Sequence, residues 1–579
     1  MTATEQHTPG RAAAALSGVL AAGTVLGVGH LVAAVVAPAA SPFLATGAGM
    51  VDRTPRELKD FAIREFGSSD KLVLFASMAV VMVLLAAVAG LLERRFRYAG
   101  CGLLVVLGLV VVGAALQRPG ATALFALPAV LGVVAGVLAL RVLMRAAGGN
   151  VHGTTRAGGV GATRSHPDDT AVPPKAADDA AARETGDAAR PRADRTDAAP
   201  EAGDATTAAA PVAGERAPRD SAGNHSRRGF LGIAAGVGAL AVATYAAGQY
   251  IGRALRDVAA DRAGFVLPRP VRPAPPIAPD VTFPIPGISP FTTPNGGFYR
   301  VDTALQLPAL TSTDWRLRIH GLVEREVEYT FDDLRDRAAA ESTFTLTCVS
   351  NEVGGDLLGT ATWTGYRLAD LLAAAGPRPE ADMVLSTSVD GFTASTPLAA
   401  LTDGRDALLA VGMNGEPLPV AHGYPARMVV PGLYGYVSAT KWVVDLELTR
   451  FDRATAYWTD RGWAAEAPIK TSSRIDVPAS FATVDAGPVV VAGVAWAQRH
   501  GIDRVELQVD SGPWQRAELA AECSIDTWRQ WRWAWDAAPG THTLRVRATD
   551  RTGATQTDAR ARPFPDGSTG WHSRVVTVR

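Results

Sequence analysis

The sequence predicts a multi-domain protein: an all-α transmembrane bundle, then an α+β domain, then a small β-sandwich. Three observations carry this. Long uncharged apolar runs fall in the first ~145 residues and in one later stretch around residue 240. From Arg145 to Gly229 there is no Leu, Ile, Met, Phe, Tyr or Trp, which separates the apolar part from the rest. Beyond residue 485, short β-rich runs alternate with turn sequences such as Asp510-Ser511-Gly512 and Pro539-Gly540. At 579 residues the chain is too long for one core. Its net charge of −1 gives no reason to expect nucleic acid as a partner. Its three cysteines, at 101, 348 and 523, are too far apart to read as a disulfide framework.

Residues 1–145 contain four runs long enough to span a bilayer, which needs about 20 residues. They are Ala12–Ala39, Leu72–Leu92, Gly100–Leu116 and Ala121–Leu140. The basic loop Glu93-Arg94-Arg95-Phe96-Arg97, with Arg141 and Arg145, places those ends and the N-terminus in the cytoplasm. The segment Val51–Asp70 then faces outward. Leu58, Phe61, Ala62 and Phe66 have near-helical spacing there, which fits either a helix on the outer membrane surface or an ordinary loop helix. Residues 146–225 read as a disordered cytoplasmic linker.

Residues 226–252 open with Ser226-Arg227-Arg228-Gly229-Phe230-Leu231 and continue as an uncharged Gly/Ala-rich run. This resembles the core of a twin-arginine export signal, so the export machinery that reads it is an expected partner. The run exceeds the 7–15 residues of a cleavable signal core, which favours a retained fifth span and leaves cleavage near its end open. Residues 253–290 are Pro-rich and read as a stalk or wrapping arm. Residues 291–478 mix short strands with helical segments such as Leu368–Ala375. In residues 485–579 the strands Val489–Trp496, Arg504–Val509, Trp531–Trp535 and Thr543–Ala548 suggest an immunoglobulin-like sandwich.

Cys348 ends the apolar run Phe344-Thr345-Leu346-Thr347 and precedes Val349-Ser350-Asn351. A thiolate at a strand end is a soft metal ligand, whereas a free cysteine in an apolar run is often only a small core residue. Further on come His422-Gly423-Tyr424-Pro425-Ala426-Arg427, a Gly-bearing turn at Gly435, and Ser438, Lys441 and Trp442. Upstream lies Asn295-Gly296-Gly297-Phe298-Tyr299-Arg300. Together these segments, across roughly Phe291–Arg579, resemble the sulfite oxidase family of molybdopterin enzymes. The resemblance implies a sulfite oxidase-type molybdopterin-binding domain and a molybdenum-molybdopterin cofactor. It implies Cys348 as the catalytic metal ligand, and Tyr299, Arg300, Thr387, His422, Arg427, Ser438 and Lys441 as cofactor contacts. Arg suits the phosphate because its planar fork pairs with phosphate oxygens bidentately. For Thr387, a plain turn between strands is the competing reading.

The same resemblance implies a dimerisation-type role for the sandwich and hence a homodimer, though its tryptophans fit an intradomain core equally well. The expected function is a membrane-anchored oxidoreductase performing two-electron oxygen-atom transfer on a small-molecule substrate outside the cytoplasm. One alternative is a periplasmic-type sulfoxide reductase. Another, from a different class, is a non-catalytic membrane assembly module with a vestigial cofactor fold. His30 is the only histidine inside spans one to four, and no Cys-x-x-Cys-His occurs. Electrons are therefore expected to pass to a separate carrier protein or a quinone, with the spans contacting membrane lipid as an anchor. Sulfite is not the expected substrate. Sulfite oxidases commonly place arginines after the cysteine and before the Lys-Trp pair, and here Glu352-Val353 and Tyr436–Thr440 stand in those places.

Overall fold

The structure, a computed structural model, describes residues 9–55, 58, 70–118, 121–148 and 222–579. Most of the segment expected to face outward, including Phe61, Ala62 and Phe66, lies outside the described residues, as does the linker from 149 to 221.

The membrane-like part is built from α1 (Arg11–Val36), α2 (Pro42–Arg53), α3 (Asp70–Arg95), α4 (Ala99–Leu116), α5 (Leu127–Gly148) and α6 (Ala222–Leu255). Among the described residues, five helices are long and apolar enough to cross a membrane, and α2 is the short exception. Helix α1 is the hub and packs on α3, α5 and α6. Small residues allow that approach: a Cβ on Gly18 would overlap the Ala86 carbonyl, and one on Gly90 would overlap the Ala14 carbonyl. Large apolar side chains such as Val81, Leu84, Leu109, Leu138 and Val242 point outward. The sequence reading did not anticipate α2, which Ser41-Pro42 opens with proline in its first turn.

The α+β domain holds two sheets. Strands β1 (Pro270–Arg272), β2 (Leu317–Gly321), β3 (Val327–Tyr329), β4 (Ala339–Thr347), β5 (Leu358–Arg367), β6 (Met383–Ser388), β7 (Thr393–Pro397), β8 (Leu408–Met413), β9 (Glu416–Pro417), β10 (Arg427–Val429) and β11 (Val443–Thr449) supply them. One sheet runs β1-β4-β5-β8-β10 with β9 beside β8, and the other runs β3-β2-β11-β6-β7. Cross-strand threonine pairs tie β4 to β5: Thr343 to Thr362 at 2.8 Å and Thr345 to Thr360 at 2.5 Å. The expected helix Leu368–Ala375 is present, burying Leu368, Leu371, Leu372 and Ala375 on one face.

The Pro-rich segment wraps this domain. After α6 comes α7 (Val258–Gly264), then β1, which pairs in parallel with β4. Val281 is buried in the core, and the Phe283 N–H donates to Gln530 Oε1 at 2.7 Å.

The sandwich packs β12 (Ser472–Val477), β14 (Gly487–Trp496), β17 (Glu518–Leu519) and β18 (Arg529–Ala537) against β13 (Thr483–Val484), β15 (Ile502–Val509), β16 (Gln515–Arg516), β19 (Gly540–Asp550) and β20 (His572–Val578). Its tryptophans divide. Trp531 and Trp535 fill the sandwich core, while Trp496 and Trp528 join the core of the α+β domain. The sandwich also grips β4 directly. The Thr345 N–H donates to the Asp526 carbonyl at 3.0 Å, and the Trp528 N–H donates to Thr345 Oγ1 at 2.8 Å.

Candidate active site

Strand β4 ends immediately before Cys348, three residues after Thr345, which the sandwich holds through Asp526 and Trp528. The Cys348 N–H donates to the Leu357 carbonyl at 2.9 Å, and Asn351 Oδ1 accepts from the Leu357 N–H at 2.9 Å, closing the loop that follows. Cys348 is buried, at 8% exposure. Burial raises its thiol pKa, while hydrogen bonds from Ser350 and the charge of Lys441 act in the opposite sense.

Arg427 starts β10 and is buried at 6% exposure. Its guanidinium donates to three backbone carbonyls, those of His422 at 3.1 Å, Ala439 at 3.2 Å and Met428 at 3.4 Å. It also lies over the Trp363 ring at 5.3 Å. Burial pushes its pKa down to about 10. His422 Nε2 lies 3.2 Å from the Asn295 carbonyl, so that nitrogen carries the proton and donates. Burial, then Arg427 and Lys441, push the His422 pKa down to about 4, so the ring is neutral at pH 7. Gly423 lets the chain turn between them: its φ is +110°, and a Cβ would stand 3.0 Å from that of Arg427.

Lys441 donates to Asp302 at 2.8 Å and to the Ala421 carbonyl at 3.4 Å. Its pKa is pushed down to about 8, by burial first, with Asp302 opposing and Arg427 and Arg300 adding to the fall. Arg300 pairs with the same Asp302 at 2.7 Å. Tyr299 stacks on Phe298 at 5.3 Å, and its hydroxyl lies 3.7 Å from where a side chain on Gly435 would begin. Burial, and then Cys348, raise the Tyr299 pKa.

Six of the expected residues therefore converge: Tyr299, Arg300, Cys348, His422, Arg427 and Lys441. Ser438 is close, but its hydroxyl is turned to the carbonyls of Leu433 and Tyr434, at 3.2 and 3.0 Å. Thr387 is not brought in. Side chains alternate along β6, and it is Ser386 that meets Thr440, at 2.7 Å, so Thr387 takes the other face of the sheet. Sequence reasoning missed Asp302, which bridges Arg300 and Lys441, and Trp363, which lies under Arg427. Asp302 sits two residues from Arg300, but a lone acid in a loop carries no mark of burial.

The residues fit an anionic, phosphate-bearing pterin. Arg427 is a buried cation whose acceptors are all carbonyls, a state that a bound anion would relieve. Thr347 Oγ1, beside Cys348, is buried without a hydrogen-bond partner among the described residues. Among the described residues no group of three or more His, Cys, Asp or Glu could hold a metal, so a metal at Cys348 would draw its other ligands from the cofactor.

Comparison with known proteins agrees with this geometry. Residues 304–458 match the family "Oxidoreductase molybdopterin binding domain", and residues 472–546 match "Bacterial Ig domain". The chain therefore carries an oxidoreductase molybdopterin-binding domain followed by an immunoglobulin-like domain. It is 31% identical over 288 residues to the mitochondrial sulfite oxidase of Rattus norvegicus, covering 42% of this chain and 52% of that protein. It is 33% identical over 151 residues to the uncharacterized oxidoreductase YuiH of Bacillus subtilis (strain 168), covering 26% of this chain and 73% of that protein. The sulfane dehydrogenase SoxCD structure from Paracoccus pantotrophus aligns with TM-score 0.45 and 26% identity, over 50% of this chain and 84% of that one. The chain belongs to the sulfite oxidase-like family of molybdopterin-dependent oxidoreductases, which implies a molybdenum-molybdopterin cofactor. It spans about half the length of the sulfite oxidases it matches.

Proposed function

We propose that this chain is a membrane-anchored molybdenum oxidoreductase whose catalytic domain works outside the cytoplasm on a substrate other than sulfite. The observation that carries the cofactor assignment is Arg427, a buried guanidinium whose acceptors among the described residues are backbone carbonyls, with both it and the buried Cys348 close enough to act on Tyr299. Cys348 would be the protein's ligand to the metal. Arg427 and the His422 segment would hold the cofactor phosphate, Tyr299, Arg300 and Lys441 would line the pterin, and Ser438 would contribute through its backbone. When bound, the cofactor supplies two-electron oxygen-atom transfer.

The protein's own part is to bind, orient and exclude water. Donors from Ser350 and the Lys441 charge favour the Cys348 thiolate against burial, and a metal cation at the sulfur would complete that shift. His422 donates from Nε2 and leaves Nδ1 to accept. Lys441, with its pKa near 8 and its Nζ fixed by Asp302, can hold or release a proton at small cost near neutral pH.

The charge pattern supports a neutral or cationic substrate, such as a sulfoxide or N-oxide. Arg405 and Arg499 flank Gly432, and each is paired with an aspartate, Asp403 at 2.7 Å and Asp526 at 2.8 Å. Tyr436–Thr440 carries no positive charge, and Glu352 is exposed. Each charge-assisted contact missing from an anion costs about 1.5–3 kcal/mol. The basic ends of α3 and α5 and the Ser226–Leu231 motif support an outward-facing catalytic domain. Its electrons would pass to a carrier protein or a quinone.

The test is molybdenum and pterin analysis of the full-length protein, with kinetics on sulfite and on sulfoxides using artificial dyes. Cys348→Ser should abolish turnover and leave the fold intact. Wild-type activity in that variant would refute the ligand assignment. Efficient turnover at micromolar sulfite would overturn the substrate reading.

A further inference from the structure

The last span leads straight into the pocket wall. Helix α7 begins two residues beyond α6 and is capped by Asp257, whose Oδ1 accepts from the Ala260 N–H at 2.9 Å. From α7, Asp261 reaches two separate segments of the cofactor domain. Its carboxylate accepts from the Ser312 N–H at 2.6 Å, from the Ser312 hydroxyl at 2.8 Å and from the Tyr424 hydroxyl at 2.5 Å. Next to it, Arg262 donates to the Pro417 and Leu418 carbonyls at 2.7 and 2.8 Å and pairs with Glu416 at 3.3 Å. Phe265 sets its ring edge-on to Tyr424, 5.8 Å between centroids. Residues 261–265 thus grip the run 416–424 at its start and at its end.

That run leads directly into the pocket. Tyr424 is fully buried and stands between His422 and Arg427, the two residues assigned to the cofactor phosphate. A buried phenol needs an acceptor, and Asp261 supplies it. Burial and then Asp261 raise the Tyr424 pKa, so the phenol stays protonated and donates.

We propose that Asp261 is a positioning residue for the cofactor, and that seating of α7 and retention of the cofactor are linked through Tyr424. The proposal rests on the cofactor reading above. Asp261 touches no reacting group. It fixes the backbone path that aims His422 and Arg427. Linkage makes the coupling reciprocal: whatever seated α7 adds to cofactor retention, bound cofactor adds to the seating of α7. Occupancy of the pocket is thereby registered at the base of the fifth span.

The test uses full-length protein in detergent, purified both from molybdenum-replete cells and from cells unable to make the pterin. Asp261→Asn and Tyr424→Phe should each release molybdenum roughly tenfold faster than wild type. The double variant should be no faster than the worse single one, because both remove the same contact. Ser312→Ala, which trims the same carboxylate elsewhere, should stay within roughly twofold of wild type. Hydrogen exchange in residues 258–264 and 416–427 should rise together in the cofactor-free protein and in Asp261→Asn, with the sandwich unchanged. Additive release rates, wild-type retention in Asp261→Asn, or exchange that rises in 416–427 without 258–264 would overturn the proposal. If wild-type protein binds no molybdenum at all, the cofactor reading fails. Exchange in Asp261→Asn and Tyr424→Phe then still decides whether the two segments are coupled.

Discussion

Burying a guanidinium is tolerable when carbonyls surround it and an anion completes its shell. Arg427 has the carbonyls, and the proposed cofactor phosphate would be the anion, so its replacement separates charge from geometry. Arg427→Ala should weaken cofactor retention by roughly a hundredfold, the equivalent of about 3 kcal/mol. Arg427→Lys should recover only part of this, because a point charge cannot reproduce the planar fork. Molybdenum and pterin content after gel filtration would measure both. His572 offers a pH test of a different kind. Its Nδ1 accepts the Ile475 N–H at 3.0 Å, and its ring lies against Gly354 in the loop after Cys348. Burial first, then Arg574 and Arg474, push its pKa down from 6.5 to about 4. The folded state therefore favours the neutral ring. The stability this provides is whole above pH 6.5 and is lost as the pH falls through the folded pKa towards 4, on the order of 2–3 kcal/mol. Melting of wild type across that window should fall more steeply than melting of His572→Gln; equal slopes would exclude His572 as the source. At this scale the sequence revealed residues whose chemistry is unusual in its setting, such as Cys348 in an apolar run and Arg427 after His-Gly. It did not reveal Asp302, Asp261 or Trp363. Their roles come from burial and from partners far off in the chain, as Asp302 and Lys441 illustrate.

Elements were legible where one period dominates. The apolar runs became α1, α3, α4, α5 and α6, and the sandwich strands β14, β15, β18 and β19 contain the runs expected of them. Elements whose signal is tertiary were not legible. Strand β1 is three residues long in a Pro-rich segment and exists because β4 offers it an edge. Thr387 lies on the face of β6 opposite Ser386 because a one-residue shift along a strand moves a side chain to the other face. The α1–α3 contact gives an element-scale prediction. Gly18→Leu puts a side chain into the Ala86 carbonyl, so the two helices must separate. The helical part should then melt earlier by several degrees in detergent while the sandwich keeps its own transition. An unchanged helical transition would show that the two helices do not pack through this face.

At the scale of the whole molecule, the helical part touches the α+β domain. Arg118 donates to the Asp390 carbonyl at 2.8 Å and pairs with Asp52 at 3.1 Å, and Leu305 lies 3.2 Å from where a side chain on Gly47 would begin. The proposed topology requires Arg227 and Arg228 to bring the catalytic half across. Changing both to Lys should leave the first four spans inserted and strand the catalytic domain in the cytoplasm. Protease added to intact spheroplasts would read this. Digestion of that domain in the double variant would defeat the export reading.

The grip of the sandwich on β4 also sets an order of events in time. Trp528 and Thr345 bond across 183 positions of chain, three residues before Cys348. The ribosome has to make the chain past Trp528 before the strand that carries the thiol can be held in place. Nascent chains halted near residue 500 should therefore fail to retain pterin, and the finished, loaded domain is what an export pathway for folded proteins would receive.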